Sequence, residues 1–351
     1  MDGLIRRVAQ PIALPAPPAA VAAALPAPAP IAEALPKSTN WLWPATLATV
    51  TVGIAAATLT GEASHIRDIR LSSILPRAKT VAHHAAAAKP AVKPSAAATT
   101  AAASATAAKT AATQAMQSAV NQAASSAGVS TGIMTIDLKT GAVASSNADT
   151  VFTSASIYKL FVANAIFRGI DSGTIKYTDA AGSTGMNVQS CLQAMITVSS
   201  NPCGEALAGI VNWDSQNAGF HAAGYTHTLL RQFNSEQTSA SDVALLLQRL
   251  YNGTLVSPAS TTAFINLLKA QQINDRLPVG LPAGVTVAHK TGDLNGLAHD
   301  AGIVYAPTGN YIVVGMSGPW KSTGQAYGWF NKFSDSLYSS LTASRVQKVI
   351  R

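Results

Sequence analysis

The sequence lacks several patterns that define common classes of protein. It contains no zinc-finger spacing, no RNP-type aromatic motif and no P-loop. Charged residues make up only 11% of the chain and aromatic residues only 6%. These absences argue against sequence-specific nucleic-acid recognition and against nucleotide binding of the P-loop type.

Cysteine is also scarce, with only Cys191 and Cys203 in 351 residues. Two buried thiols are one interpretation. The other is a disulfide between neighbouring segments, which would indicate an oxidising compartment. The residues alone favour neither interpretation.

Large apolar side chains are rare in the first 126 residues, which are dominated by Ala, Pro, Thr and Lys. Such a segment cannot bury enough surface to offset the entropy of the chain. Aromatic and β-branched residues become regular only after about Gly128, and the remaining stretch can bury a sizeable core. We therefore expect one large domain in the C-terminal part.

The net charge of +8 is distributed unevenly. Residues 1–126 contain ten basic and four acidic residues, whereas residues 127–351 contain fourteen and twelve. The globular part is therefore nearly neutral, and the basic excess lies in the part without a core. We predict no nucleic-acid partner.

The N-terminal segment divides into a tail and a candidate membrane anchor. Residues 1–40 are rich in Pro and Ala and are predicted to be disordered. Residues 41–61 carry no charge and begin with Trp41 and Trp43, which suit a membrane interface. We predict a single transmembrane helix there, with residues 62–109 as a linker to a domain at residues 110–351. A basic nucleic-acid-binding arm is the alternative interpretation of the linker.

The charges that flank this predicted anchor bear on its orientation in the membrane. Arg67, Arg70, Arg77 and Lys79 follow the span, whereas only Lys37 lies close before it. Taken literally, the positive-inside rule places the C-terminal side in the cytoplasm.

Periodicity in the domain predicts strands at both ends and helices between them. The predicted helices are Thr110–Ser126, Ile157–Ser172, Val188–Val198, Pro202–Val211, Ser241–Tyr251 and Ala326–Leu341. The predicted strands are Gly132–Asp137, Ala142–Ser146, Thr286–His289, Gly302–Tyr305 and Tyr311–Met316. This order implies an α/β protein of the α+β type, with an antiparallel sheet completed by both ends of the domain and an all-helical lobe.

Three short motifs can carry chemistry. Ser156 and Lys159 lie one turn apart on an apolar helix, where a buried amine can take the proton of a serine nucleophile. In Ser199-Ser200-Asn201, the first hydroxyl can relay a proton and the amide can hold substrate. Lys290-Thr291-Gly292 lies on a predicted strand, after Val287-Ala288-His289. There its amine and hydroxyl can bind a carboxylate, while glycine admits substrate along the strand edge. Each motif alone is common; a helix cap with a surface lysine, a polar turn or a solvated strand end would explain it.

Together and in this order, the motifs resemble the signature set of class A β-lactamases and penicillin-binding proteins. The resemblance spans about 225 residues and includes Met195-Ile196-Thr197-Val198 before the second motif and His299-Asp300-Ala301-Gly302 after the third. It implies a β-lactamase/transpeptidase-like fold, a serine hydrolase without a metal or other cofactor, and a monomeric catalytic domain. It also implies that the domain lies outside the cytoplasm, which we prefer to the charge rule, and it favours a disulfide between Cys191 and Cys203.

The resemblance assigns a role to each motif residue. Ser156 would form an acyl-enzyme, Lys159 would be its general base, and Ser199 would pass a proton to the leaving nitrogen. Asn201 would bind the substrate's amide, Lys290 and Thr291 its carboxylate, and Gly292 would leave room beside the strand. The backbone N–H groups of Ser156 and Asp293 would form the oxyanion hole.

Two departures from the family pattern affect the expected reaction. Ser200 replaces the usual aspartate of the second motif, a position that is mainly structural. The loop Arg231–Thr238 is short, and Phe233 falls near the position of the glutamate that activates the deacylating water in class A β-lactamases. Glu236 is the nearby candidate for that role, and an ordinary solvated loop residue is the alternative.

The sequence is compatible with three functions. The first is a β-lactamase that releases its acyl-enzyme, and the second is a penicillin-binding-type D-alanyl-D-alanine peptidase or transpeptidase acting on peptidoglycan peptides. The two share acylation and differ in deacylation. The third is an inactive envelope-binding relative, against which the intact motifs argue.

Overall fold

The computed structural model describes residues 96–231 and 235–346. The predicted tail (1–40) and the predicted membrane span (41–61) lie outside the described residues, as does most of the linker. Within the described ranges, no helix has the length and apolar character needed to cross a bilayer.

The described chain contains eight α-helices and seven strands in mixed order. They are α1 (Ala96–Ala127), β1 (Ser130–Asp137), β2 (Ala142–Ser146), β3 (Phe152–Thr153), α2 (Tyr158–Asp171), α3 (Val188–Thr197), α4 (Asn201–Val211), α5 (Trp213–Ala222), β4 (Gln237–Thr238), α6 (Ala240–Tyr251), α7 (Pro258–Lys269), β5 (Thr286–Leu294), β6 (Leu297–Tyr305), β7 (Tyr311–Gly318) and α8 (Thr323–Val346). Short 3-10 helices at Ala155–Ile157, Gly182–Thr184 and Leu277–Gly280 connect them.

Five strands form one antiparallel sheet in the order β2-β1-β7-β6-β5. Strand β1 from the start of the domain pairs with β7 from its end, with Ile133 opposite Gly315. The prediction of an antiparallel sheet completed by both ends is therefore confirmed. Strand β5 is left at the edge of the sheet, where its outer side can face a substrate.

The sheet is covered on both faces. Alternate residues of its central strands point into two different cores. Val313 packs in a core with Met116 of α1 and Phe330 of α8. Ile312 and Val314 point the other way, into a core shared with α2, α3, α4 and α6. This alternation follows from the two-residue period of a strand. The predicted helical lobe, α2 to α7, lies on the second face.

The largest differences from the prediction concern helices. Helix α1 begins at Ala96, so residues 96–109, which we assigned to the linker, are helical. Alanine has the highest helix propensity, and burial against the domain begins only at Ala112. Helices α5 and α7 were not predicted. Only Trp213 and Phe220 of α5 are buried, which leaves almost no apolar period to detect.

Candidate active site

A sharp turn presents Ser156 at the start of helix α2. Strand β3 leads into Ser154, whose N–H donates to the carbonyl of Glu236 at 2.7 Å. Ala155 then adopts φ +46°, in the left-handed region that non-glycine residues rarely occupy. Strain of this kind is typical of functional turns. The helix that follows is buried from Tyr158 to Phe167, so the predicted nucleophile directly precedes a rigid element.

The ammonium group of Lys159 lies at the centre of the site. Its Nζ is 3.0 Å from Ser156 Oγ, 2.7 Å from Asn201 Oδ1 and 2.6 Å from the carbonyl oxygen of Ser199. Burial lowers the pKa of Lys159 to about 8, against the charges of Glu205 and Glu236, which raise it. An appreciable fraction is therefore neutral near pH 7 and can accept the proton of Ser156.

The second motif occupies a fixed turn between α3 and α4. Ser199 has φ +58°, and Ser200 caps α4 by accepting from the N–H of Cys203 at 3.4 Å. A disulfide joins Cys191 to Cys203, with a Cα–Cα distance of 4.9 Å. The two helices that flank Ser199 are therefore covalently linked around it.

The two motif lysines meet at the hydroxyl of Ser199. Lys290 is fully buried on β5, and its Nζ lies 2.9 Å from Ser199 Oγ and 2.8 Å from the Thr291 carbonyl. Lys159 Nζ approaches the same Oγ to 3.3 Å. Burial holds the pKa of Lys290 well below its usual value, and the charge of Lys159 lowers it further. With both lone pairs of Ser199 Oγ facing amines, its own hydrogen is left to donate to a bound molecule.

The edge strand β5 passes directly against the nucleophile turn. A Cβ at Gly292 would lie 3.2 Å from the backbone nitrogen of Ser156, 3.2 Å from the Ser154 carbonyl and 3.1 Å from Ile157 Cγ1. Only glycine fits there without a shift of the strand. The approach brings the Gly292–Asp293 backbone beside the N–H of Ser156, where the oxyanion hole was predicted.

The model of the beta-lactamase enzyme family matches residues 111–341. The chain belongs to this family. Among curated proteins, beta-lactamase FAR-1 of Nocardia farcinica is 27% identical over 212 residues, which cover 52% of this chain and 68% of that protein.

Solved structures show the same fold. PBP-A matches with a TM-score of 0.60 at 24% identity, covering 66% of this chain and 97% of its own. A β-lactamase from Sphaerobacter thermophilus matches with a TM-score of 0.59 at 22% identity, covering 66% of this chain and 98% of its own. A PBP-A variant described as an acyl-enzyme complex with penicillin G matches with a TM-score of 0.60 at 23% identity, over 66% of this chain and 97% of its own.

Sequence reasoning missed Arg276, which supports the third motif of this β-lactamase-family site. Its side chain is fully buried and donates to the His299 carbonyl at 2.7 Å. The same guanidinium pairs with the half-exposed carboxylate of Asp293 and donates to Tyr327 Oη at 3.1 Å. It therefore fixes the end of β5 beside the nucleophile. An arginine in a loop before a strand carries no sequence signal for this role.

A buried pair braces the strand beside Lys290. His289 Nδ1 lies 2.8 Å from Asp300 Oδ1, and His289 Nε2 lies 2.9 Å from Asn274 Oδ1. Asp300 also accepts from the N–H of Leu277 at 3.1 Å. His289, the last residue of the predicted strand Thr286–His289, thus has a structural partner on each ring nitrogen.

Glu236 lies beside the turn that presents Ser156. It precedes β4, which pairs with β3, and its side chain is buried. Burial raises the pKa of this carboxyl, a hydrogen bond from its own backbone and the charge of Lys159 lower it, and Glu205 raises it again. Its role in deacylation stays a prediction, and Phe233 lies outside the described residues.

Proposed function

We propose that this serine hydrolase of the β-lactamase type opens the amide bond of β-lactams through an acyl-enzyme on Ser156. The observation that carries the proposal is the contact of Lys159 Nζ with Ser156 Oγ at 3.0 Å, in a site that lowers the pKa of the amine. A base of this kind can activate a serine that would otherwise be a poor nucleophile.

Acylation begins when Lys159 takes the proton of Ser156. The freed oxygen attacks the β-lactam carbonyl carbon, and negative charge develops on the carbonyl oxygen. The N–H groups of Ser156 and Asp293 stabilise that charge, since β5 passes close to the nucleophile turn. Such preorganised donors are worth roughly a hundredfold or more in rate.

Ring opening needs a proton on the leaving nitrogen, and Ser199 supplies it. Its Oγ faces both lysines, so it can donate its hydrogen to substrate and regain one from an ammonium. Asn201 uses Oδ1 to accept from Lys159, which leaves its Nδ2 group for the amide carbonyl of the substrate. Lys290 and Thr291 bind the substrate carboxylate.

A second candidate function is that of a penicillin-binding-type D-alanyl-D-alanine peptidase acting on peptidoglycan peptides. The short Arg231–Thr238 loop favours it, because the loop lacks a glutamate at the expected position. Both functions use the same acylation machinery, so they separate only at the release of the acyl group.

Mass spectrometry of the protein mixed with penicillin G and followed over time tests the proposal. We expect a transient adduct on Ser156 while hydrolysed drug accumulates, and no adduct on Ser156→Ala. Ser339→Ala changes an exposed serine of α8, the helix that packs on the other face of the sheet; it is the matched control and should behave like the parent protein. A stable adduct without turnover would establish the peptidase-type function instead, and the absence of any adduct would refute both.

We further propose that residues 41–61 anchor the protein in a membrane with the catalytic domain outside the cytoplasm. The uncharged run and its two tryptophans support the anchor, and a cell-envelope substrate supports the orientation. Carbonate extraction of membranes should retain the full chain and release an Ala56→Arg variant, because a central arginine disfavours insertion. Protease added to intact cells should then cleave the domain; a protected domain would reverse the orientation.

A further inference from the structure

Helix α4 carries an acidic residue, Glu205, that none of the motifs includes. The helix begins with Asn201, whose Oδ1 accepts from Lys159 Nζ at 2.7 Å. Glu205 follows four residues later, so its side chain leaves the same face of the helix one turn further on. The face of α4 that contacts Lys159, the proposed base of acylation, therefore also carries the carboxylate of Glu205 one turn further on.

Contact between α4 and α2 places this turn against the reactive lysine. Gly204 is buried, and a Cβ there would lie 2.8 Å from Lys159 Cε and 2.6 Å from Tyr158 Oη. No side chain separates the two helices at this point, which brings Glu205 near Lys159. The electrostatics agree with this placement, since Glu205 opposes the lowered pKa of Lys159 more strongly than Glu236 does.

The two carboxylates near Lys159 differ in their access to water. Glu236 is 3% exposed, and its charged form is disfavoured by burial and by Glu205. Glu205 is exposed to water, one helical turn from the Asn201 side chain that contacts Lys159. A general base must be within reach of the water it activates, and the side chain of Glu205 is open to water where that of Glu236 is not.

Building on the proposed function, we propose that Glu205 is the general base that activates the deacylating water. Glu205 takes a proton from water, and the water oxygen bonds to the carbonyl carbon of the Ser156 ester. The bond from that carbon to Ser156 Oγ then breaks, and the proton passes to Oγ to restore the serine. The acyl group leaves as a carboxylic acid, so no further reactant is consumed.

Rapid-quench mass spectrometry with penicillin G tests this role by separating acylation from release. For Glu205→Gln, we expect acylation within about threefold of the parent protein and release slowed about a hundredfold or more, so that adduct accumulates. Glu205→Asp should recover part of the release rate. Asp214→Asn removes an exposed charge from the same lobe and should change neither step, and Glu236→Gln should affect release far less than Glu205→Gln.

A purely electrostatic effect of Glu205 predicts a different result. Without its charge, the pKa of Lys159 would fall, and the acid limb of the acylation rate would move to lower pH while release stayed unchanged. That result, or slow release in Glu236→Gln alone, would overturn the proposal. If the parent protein forms no adduct, the proposed function itself fails; if it forms one that is never released, acylation stands and the role of Glu205 does not.

Discussion

Single residues decide the chemistry of acylation, and Lys159 illustrates how. The same side chain on a surface would remain charged near pH 7, because an exposed lysine has a pKa near 10.4. In this site it is buried among Ser156, Ser199 and Asn201, and its pKa is lowered to about 8. The motif supplies the amine, and burial lowers its pKa toward the range that the proposed role as a base requires.

The pH dependence of acylation should report this residue. Lys159 acts as a base only when neutral, so kcat/KM limited by acylation should rise about tenfold per pH unit below about 8 and level off above it. Stopped-flow measurements between pH 6 and 10 would show the profile. Lys159→Arg should abolish acylation, because a guanidinium stays protonated. An acylation rate independent of pH across this range would contradict a lysine base.

Gly292 should be intolerant of even one added carbon. In Gly292→Ala the new Cβ would press on Ile157 and on the backbone at Ser154 and Ser156, which would move β5 away from the nucleophile. The neighbouring atoms would have to move by a few tenths of an ångström. We therefore expect kcat/KM to fall about tenfold, less than the roughly hundredfold effect of a 1 Å displacement in an active site. Steady-state kinetics and thermal melting would separate lost activity from lost folding.

Gly209→Ala is the matched control for this substitution. It lies in α4 with nothing within 4 Å of the added Cβ, so activity should be unchanged and stability slightly raised. Equal losses in the two variants would show that the close approach at Gly292 is not the cause.

At the scale of secondary-structure elements, helices α3 and α4 form a frame around Ser199. The disulfide closes a loop of 12 residues that contains the second motif. Such a cross-link stabilises a fold by about 3 kcal/mol through the entropy of the unfolded chain. The frame also limits the movement of Ser199 relative to Lys159 and Lys290.

Loss of the disulfide should therefore lower both stability and activity. We expect the Cys191→Ala/Cys203→Ala variant to melt several degrees below the parent protein and to acylate more slowly. Calorimetry with and without dithiothreitol provides the check, because reductant should lower the Tm of the parent but not that of the variant. A parent Tm unaffected by reductant, with the bond shown to be reduced, would contradict a stabilising role.

At the scale of the whole molecule, the two ends of the domain are packed together. Helix α1 buries Met116 and Val120 in the same core as Phe330 and Leu337 of α8, while β1 pairs with β7. Trp329 Nε1 of α8 donates to the Ala123 carbonyl at 2.8 Å. The sheet that carries Lys290 thus depends on a helix that precedes the nucleophile by some thirty residues.

Truncation should show this dependence. A chain that begins at Ala96 retains every described element and should keep the Tm and kcat of the full protein. A chain that begins at Val129 lacks α1 and exposes one face of the sheet, and we expect it to lose cooperative unfolding. Circular dichroism melting of both chains would test whether α1 is required for cooperative folding. A cooperative transition in the shorter chain would refute that requirement.

Much of the architecture was readable from local patterns. The strands β1, β2 and β7 and the helices α2, α3, α4 and α6 follow their predicted ranges closely, since each has a clear apolar period. Strand β6 was predicted only at Gly302–Tyr305 but begins at Leu297, and β5 was predicted only at Thr286–His289 but continues to Leu294. Helix α7 was missed although Ser257 and Pro258 form a typical start, with Ser257 accepting from the N–H of Ser260. Helix α5 offered little to detect, because few of its residues are buried.

The sequence by itself determined which groups are proposed to react, because a nucleophile, its amine and a carboxylate-binding lysine must be particular residue types at particular spacings. Only the tertiary structure decided how they act. It brought Lys159 and Lys290 to one hydroxyl 40 and 91 residues away, and it set their pKa values by burial. It also placed Arg276 beside the third motif. Contacts between residues so far apart in the chain depend on how helices and strands pack. Local sequence patterns do not encode that packing.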